Sequence, residues 1–240
     1  MRSLLSVYLK KVMAKQYMTL VPNPKSVDEL MSRAYNLAGK KVKDIASTYN
    51  LKIPTDTLHS KGWLGVFLEA VLGADGSNNP IQDFTDLKIE LKSIPISNDL
   101  VPYESTYICV VPLLGNSNVS FYESNFFNKI KKILWFPFDG NKNLAIAEKN
   151  FFTPFLWSPN QEELQILKQD WEEHMEKIST GQIENITAKD GTALQIRPKA
   201  ANGRILTDAI GRNGQLIQTR PRGFYLRPSF TQKILKNKFL

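Results

Sequence analysis

A single cysteine and two histidines occur among the 240 residues, and these shortages remove whole classes of chemistry. Cys109 cannot form an internal disulfide; it sits in the apolar run Tyr107-Ile108-Cys109-Val110-Val111, where a small buried side chain is the natural reading. Zinc sites need cysteine and histidine at fixed spacing, and His-Asn-His nucleases need clustered histidines; His59 and His174 supply neither. His174 is expected on the exposed side of an acidic helix. No apolar run approaches membrane-spanning length, so no membrane association is expected. The stretch Ser3–Leu9 is short, is followed by Lys10 and Lys11 and precedes no small-residue cleavage site. A reducing cytoplasm is therefore expected rather than secretion. Internal repeats, low-complexity tracts and flexible linkers are also missing.

What is present is a foldable chain with an uneven charge. Hydrophobic residues make up 42% and charged residues 22%, which suits one globular domain, read here as residues 1–240 in two closely packed lobes with 1–24 as an extension. From Arg197 to Leu240 ten Lys or Arg stand against one acid, Asp208, giving +9; the preceding residues hold 21 against 22, giving −1. Such a concentration suits a polyanion, because neutralising phosphates releases condensed counterions. A solvated tail is the alternative, but the charges alternate with Phe224, Tyr225, Leu226, Phe230 and Ile234, which favours a folded basic surface.

Periodicity changes along the chain. Ser26-Val27-Asp28-Glu29 reads as a capping box opening a helix with Leu30, Ala34 and Leu37 at helical spacing, interrupted at Gly39. Short helices are expected over Lys41–Tyr49 and, after Gly62, through Trp63, Val66, Phe67, Ala70 and Val71. In Lys88-Ile89-Glu90-Leu91-Lys92 the apolar residues alternate with the charged ones, as a strand requires. Tyr107–Leu113 and Ile133–Phe138 read as strands covered on both faces. Ser158-Pro159 is expected to open a long helix with Leu164, Leu167, Trp171, Met175 and Ile178 inward, ending near Gly181. Asp190-Gly191 reads as a turn between strands Ile183–Ala188 and Ala193–Arg197.

The chemistry lies in Asp83 and Glu90-Leu91-Lys92. Two carboxylates offer hard oxygen ligands to a divalent metal, with water and a phosphate oxygen completing the shell. Such a metal activates water and stabilises charge in phosphodiester hydrolysis. Lys92, on the same strand face as Glu90, can orient the water and offset developing charge. Glu69, on the apolar helix upstream, is a third carboxylate that could assist. Each has a plainer alternative: an Asp and a Glu-x-Lys recur by chance, an alternating charged face is usually solvated, and Glu69 could pair with Lys61 or Lys92.

Longer segments narrow the choice. Lys61-Gly62-Trp63-Leu64-Gly65, Leu68-Glu69, Leu72-Gly73-Ala74, Gln82-Asp83-Phe84 and Glu90-Leu91-Lys92 run in order along the chain. Pro112-Leu113-Leu114-Gly115-Asn116-Ser117, Leu134-Trp135-Phe136-Pro137 and Leu156-Trp157-Ser158-Pro159-Asn160 follow them. Gln195-Ile196-Arg197-Pro198-Lys199-Ala200-Ala201-Asn202 and Arg222-Gly223-Phe224-Tyr225-Leu226 complete the series. Together these resemble the MutH family of mismatch-repair endonucleases. The resemblance implies the PD-(D/E)xK restriction-endonuclease-like fold, an α/β architecture with a central mixed sheet flanked by helices and two arms around a DNA cleft. It implies Asp83 and Glu90 as ligands of Mg²⁺, Lys92 as the catalytic lysine and Glu69 as the assisting carboxylate. Gln82 stands where the superfamily pattern has proline; the acid is kept.

The resemblance also implies DNA contacts from Lys61, Gly62, Arg197, Lys199, Arg222 and Tyr225, with Lys129 near the scissile phosphate. Tyr107 stands where the family usually has a phenylalanine near DNA. An aromatic edge near adenine N6 would be sensitive to a methyl group there; for Tyr225, between Phe224 and Leu226, core packing is the competing role. The implied activity is nicking of the unmethylated strand at hemimethylated GATC sites in double-stranded DNA by a monomer, with MutL as activator and MutS upstream. A GATC-specific type II restriction endonuclease and a non-catalytic DNA-binding module are the alternatives. The acidic helix face around Glu162, Asp170, Glu173 and Glu176 is either a docking surface or a solvated one.

Overall fold

A computed structural model of the chain describes residues 20–54, 62–75, 81–116, 118–199 and 205–240. Its helices are α1 (Val27–Tyr35), α2 (Val42–Thr48), α3 (Trp63–Leu72), α4 (Asn125–Ile130), α5 (Gln161–Ser179) and α6 (Pro228–Phe239). The strands are β1 (Glu90–Ile96), β2 (Thr106–Val110), β3 (Ile133–Asp139), β4 (Phe155–Trp157), β5 (Leu194–Pro198), β6 (Thr207–Ile210), β7 (Leu216–Thr219) and β8 (Arg222–Leu226). They form two compact units, a first built from 20–104 and 131–158 and a second from 105–130 and 159–240. Among the described residues no helix is long and apolar enough to cross a membrane.

In the first unit a mixed sheet runs β1-β3-β4, with β1 parallel and β4 antiparallel to β3. β3 is central and buried through Phe138, as its unbroken apolar run predicts. Leu91, Leu134, Phe136 and Phe138 form one sheet face and pack with Leu30, Ala34, Ile45, Phe67 and Leu68 from α1, α2 and α3. This is the helix-covered face. α3 is apolar on nearly every side because it is buried, and it is bounded by Gly62 and Gly73, both left-handed at φ 82° and 80°. α1 keeps half of the expected capping box. Ser26 Oγ accepts the Glu29 N–H at 3.1 Å, but the Glu29 carboxylate accepts the N–H of Lys25, at 2.7 Å, one residue further out.

The strand expected over Lys88–Lys92 begins instead at Glu90 and runs on to Ile96. Phe84 and Ile89 exchange both backbone hydrogen bonds, at 2.9 and 3.2 Å. This closes a tight turn that leaves Lys88 at φ 54°. Nor is the charged face solvated, for Glu90 is only 2% exposed.

The second unit is built on an antiparallel sheet ordered β2-β8-β5 and a separate β6–β7 hairpin. β2 was expected to be covered on both faces; it is an edge strand, and Val110 is 57% exposed. The basic C-terminal segment folds as expected, burying Phe224, Leu226, Phe230 and Ile234. α5 starts at Gln161 rather than at Pro159, because Asn160 and Glu163 complete a reciprocal capping box at 2.9 and 3.0 Å. Its inward stripe is as predicted except that Leu164 is half-buried.

Two further expectations on α5 fail. His174 is 1% exposed and Asp170 is 4% exposed, so neither belongs to a solvated acidic face. Asp170 accepts the N–H groups of Thr192, Ala193 and Leu194 at 2.6–2.9 Å, and His174 Nε2 donates to the Leu194 carbonyl at 3.1 Å. Both serve the start of β5. The strand expected over Ile183–Ala188 is replaced by a 3-10 turn at Ile183–Asn185. Beyond it the Asp190 carboxylate accepts the Thr187 N–H and hydroxyl, both at 2.8 Å, which diverts the backbone into a turn.

Candidate active site

Asp83 and β1 are brought together by backbone geometry. The Phe84–Ile89 closure folds the Asp83 segment back onto the strand, and Asp83 Oδ2 accepts the Leu91 N–H at 2.8 Å. Alternation along β1 places Glu90 and Lys92 on the face opposite Leu91, away from the helix-packed core. Lys92 Nζ bonds Glu90 Oε1 at 2.6 Å, with side chains 14% and 3% exposed. A buried carboxylate is costly unless paired, and this ammonium is its partner. Burial works against the Lys92 charge, but the fields of Glu90 and Asp83 and the Glu90 hydrogen bond outweigh it, with a further contribution from Glu69 on α3. The pKa of Lys92 is therefore raised, and the side chain is a fixed cation rather than a base.

Asp83 and Glu90 present the hard oxygen donors that suit Mg²⁺. Among the described residues no three Asp, Glu, His or Cys side chains form a ready-made metal cage. A cation that keeps most of its waters and takes the rest of its shell from one or two carboxylates and a phosphate does not need one. On donor chemistry the residues fit. Trp135, paired in register with Lys92 on the neighbouring strand, is 1% exposed, and its Nε1 has no hydrogen-bond partner among the described residues.

The residues expected to contact DNA fall mostly in the second unit. Tyr107 and Tyr225 are cross-strand partners on β2 and β8, with ring centroids 5.3 Å apart at 61°. Lys199 Nζ lies over the Tyr107 ring, 2.9 Å from its centroid. Gln195 and Arg197 occupy the same sheet face on β5 and share Ser105 Oγ, at 2.6 and 3.3 Å. Gly223 keeps this face open, since a methyl there would meet Tyr107 Cε2 at 2.9 Å and Tyr225 Cε2 at 3.0 Å. Tyr225 thus stands opposite the core face formed by Phe224 and Leu226, so core packing does not explain it.

Two expected contacts lie apart from this group. Arg222, on the Phe224 side of β8, reaches Glu184 and Thr219, both at 3.5 Å. Lys129 is buried on α4, whose Phe126 packs on Phe224. In the first unit Gly62 caps α3 and lines a cavity of about 870 Å³ with Leu64, Ser93, Tyr103 and Lys142. Lys61, His59, Ser117 and Ala200–Asn202 lie outside the described residues. Sequence reasoning passed over Asp75, which bonds both the Asp83 carbonyl and Thr85; a lone acid after a helix-ending Gly-Ala carries no pattern to single it out.

A mixed sheet with helices packed on one face and Asp83 bonded back to an edge strand that carries Glu90 and Lys92 has the architecture of the restriction-endonuclease-like α/β class. A family model described as "DNA mismatch repair enzyme MutH" matches residues 72–170. The chain is 46% identical over 217 residues to the DNA mismatch repair protein MutH of Yersinia enterocolitica, covering 90% of this chain and 95% of that one. It is 47% identical over 218 residues to the Vibrio vulnificus protein of the same name, covering 91% and 96%. With the Escherichia coli protein the identity is 45% over 221 residues, covering 92% and 96%. The chain belongs to the MutH family.

Proposed function

We propose that the chain is a magnesium-dependent endonuclease of methyl-directed mismatch repair, nicking the unmethylated strand at hemimethylated GATC sites. The observation that carries this reading is the buried Glu90–Lys92 pair, to which Asp83 is tied through the Leu91 N–H. Asp83 and Glu90 would hold the cation, which when bound would supply an activated water and charge neutralisation at the phosphate. Lys92, kept protonated by its acidic surroundings, donates to the attacking water and to the non-bridging phosphate oxygen as negative charge grows there. Glu69 orients water from the α3 side. Arg197 and Lys199 contact phosphate and base edges, and the Tyr107–Tyr225 pair senses the methyl group at adenine N6. Lys61, Gly62, Lys129 and Arg222 are further DNA contacts in this reading. The protein acts as a monomer in the cytoplasm, with MutL as its activator and MutS acting upstream.

The test is strand-resolved cleavage of a duplex with one GATC site, unmodified, hemimethylated or fully methylated, with Mg²⁺ and the activator. Nicks confined to unmethylated strands support the reading. Cleavage of both strands by the purified protein alone points to a restriction endonuclease, and binding without scission points to a non-catalytic module.

A further inference from the structure

Asp75 lies two residues beyond Gly73, which ends α3 in the left-handed conformation at φ 80°, and the Ala74 N–H bonds the Glu69 carbonyl at 2.8 Å. From that fixed point Asp75 makes three bonds to the Asp83 segment. Its N–H donates to the Asp83 carbonyl at 3.0 Å. Its Oδ1 accepts the Thr85 N–H at 3.0 Å, and its Oδ2 accepts the Thr85 hydroxyl at 2.5 Å. Asp83 is thus held from both sides, with Asp75 gripping its carbonyl and its second neighbour while the Leu91 N–H of β1 fixes its carboxylate at 2.8 Å. The same residue joins the end of the helix carrying Glu69 to the segment carrying Asp83.

We infer that Asp75 is a positioning residue for the metal-holding carboxylate of Asp83, acting through Thr85. The inference rests on the proposed metal-assisted reading of the site. The backbone bond holds the Asp83 carbonyl, and the two-pronged grip on Thr85 holds the chain two residues further on, so the backbone from which the Asp83 side chain projects is kept in place. Charged hydrogen-bond acceptors make the strongest of such links. Partners that orient metal-binding groups typically contribute about 10- to 100-fold to metal affinity or activity.

The test titrates Mn²⁺ into DNA-free protein, reading free ion by electron paramagnetic resonance, and then measures the Mg²⁺ dependence of nicking. Asp75→Ala is expected to weaken Mn²⁺ binding about 10- to 100-fold and to raise the Mg²⁺ concentration for half-maximal nicking by a similar factor. Thr85→Val, a milder change that leaves the backbone bonds, is expected to move both in the same direction by less. Thr85→Ser, which keeps the hydroxyl, recovers most of the loss seen with valine. The double variant Asp75→Ala/Thr85→Val is no worse than Asp75→Ala alone, because the two remove one link. A lowered melting temperature with Mn²⁺ affinity and Mg²⁺ dependence at wild-type values assigns Asp75 a purely structural role and overturns the inference. If the wild type neither binds Mn²⁺ nor needs Mg²⁺ for nicking, the metal-assisted reading itself is wrong. If the wild type binds and Asp83→Ala does not, while Asp75→Ala binds normally, only the role of Asp75 falls.

Discussion

Lys92 carries a charge into a nearly closed position because three carboxylates make that charge cheaper than its loss. Replacing it by methionine of similar length should leave Glu90 buried without its cation, destabilising the metal-free protein by about 3 kcal/mol. Added Mg²⁺ should then raise the melting temperature of Lys92→Met by more than that of wild type, while nicking is lost; an equal or smaller shift would count against a carboxylate metal site here. His174 makes the opposite compromise. Burial holds its pKa below the ordinary 6.5, outweighing the Leu194 hydrogen bond and the pull of Asp170 and Asp190. The unfolded chain takes up a proton that the folded chain refuses, so stability is full above pH 6.5 and falls below it, by at most about 1.4 kcal/mol per pH unit. Urea denaturation at several pH values should show this slope, and His174→Gln should flatten it below pH 6.5. Asp83, Glu90 and Lys92 were legible in the sequence because their spacing lies within one local segment. His174 was not, because its burial depends on a carbonyl twenty residues away on β5.

At the scale of elements, the start of β5 hangs on two side chains of α5, Asp170 and His174. Asp170 gathers three backbone N–H groups there, and Asp170→Asn, which loses the charge and one acceptor, should cost about 2 kcal/mol in chemical denaturation. A shift of less than about 0.5 kcal/mol would mean that water replaces those bonds without loss. Gly223 tests β8 from the other face. Gly223→Ala keeps an allowed backbone but crowds both tyrosine rings, so DNA affinity or methyl discrimination should fall while the melting temperature changes little. The elements that periodicity predicted well, β3, α3 and most of α5, are those whose burial follows from their own sequence. The edge position of β2 depends on which strand lies beside it. The missing strand at Ile183–Ala188 yielded to a side chain, Asp190, that competes for its backbone. Neither cause leaves a period in the sequence.

At the scale of the whole molecule, the imbalance of charge is the oldest clue and the least structural. The segment from Arg197 carries +9 against −1 for the preceding residues, and in the second unit its described residues form the end of β5, then β6 to β8 and α6, rather than trailing as a tail. DNA affinity should therefore fall steeply with salt, and Arg197→Ala should lower the slope of log K against log salt by about 0.9 if that guanidinium meets a phosphate. An unchanged slope would place Arg197 elsewhere. The α/β class and the grouping of the candidate acids with Lys92 were legible at this scale, since strands and helices alternate and the acids cluster near one strand; the boundaries at which the two units alternate along the chain were not. The central claim is that Asp83, Glu90 and Lys92 hydrolyse DNA. It is tested most directly by nicking of a supercoiled plasmid bearing one hemimethylated GATC, with Mg²⁺ and MutL, comparing wild type with Asp83→Ala and Lys92→Ala. The account predicts that wild type relaxes the plasmid through a single unmethylated-strand nick, while both variants bind DNA but leave it intact; variants that nick at the wild-type rate would contradict it.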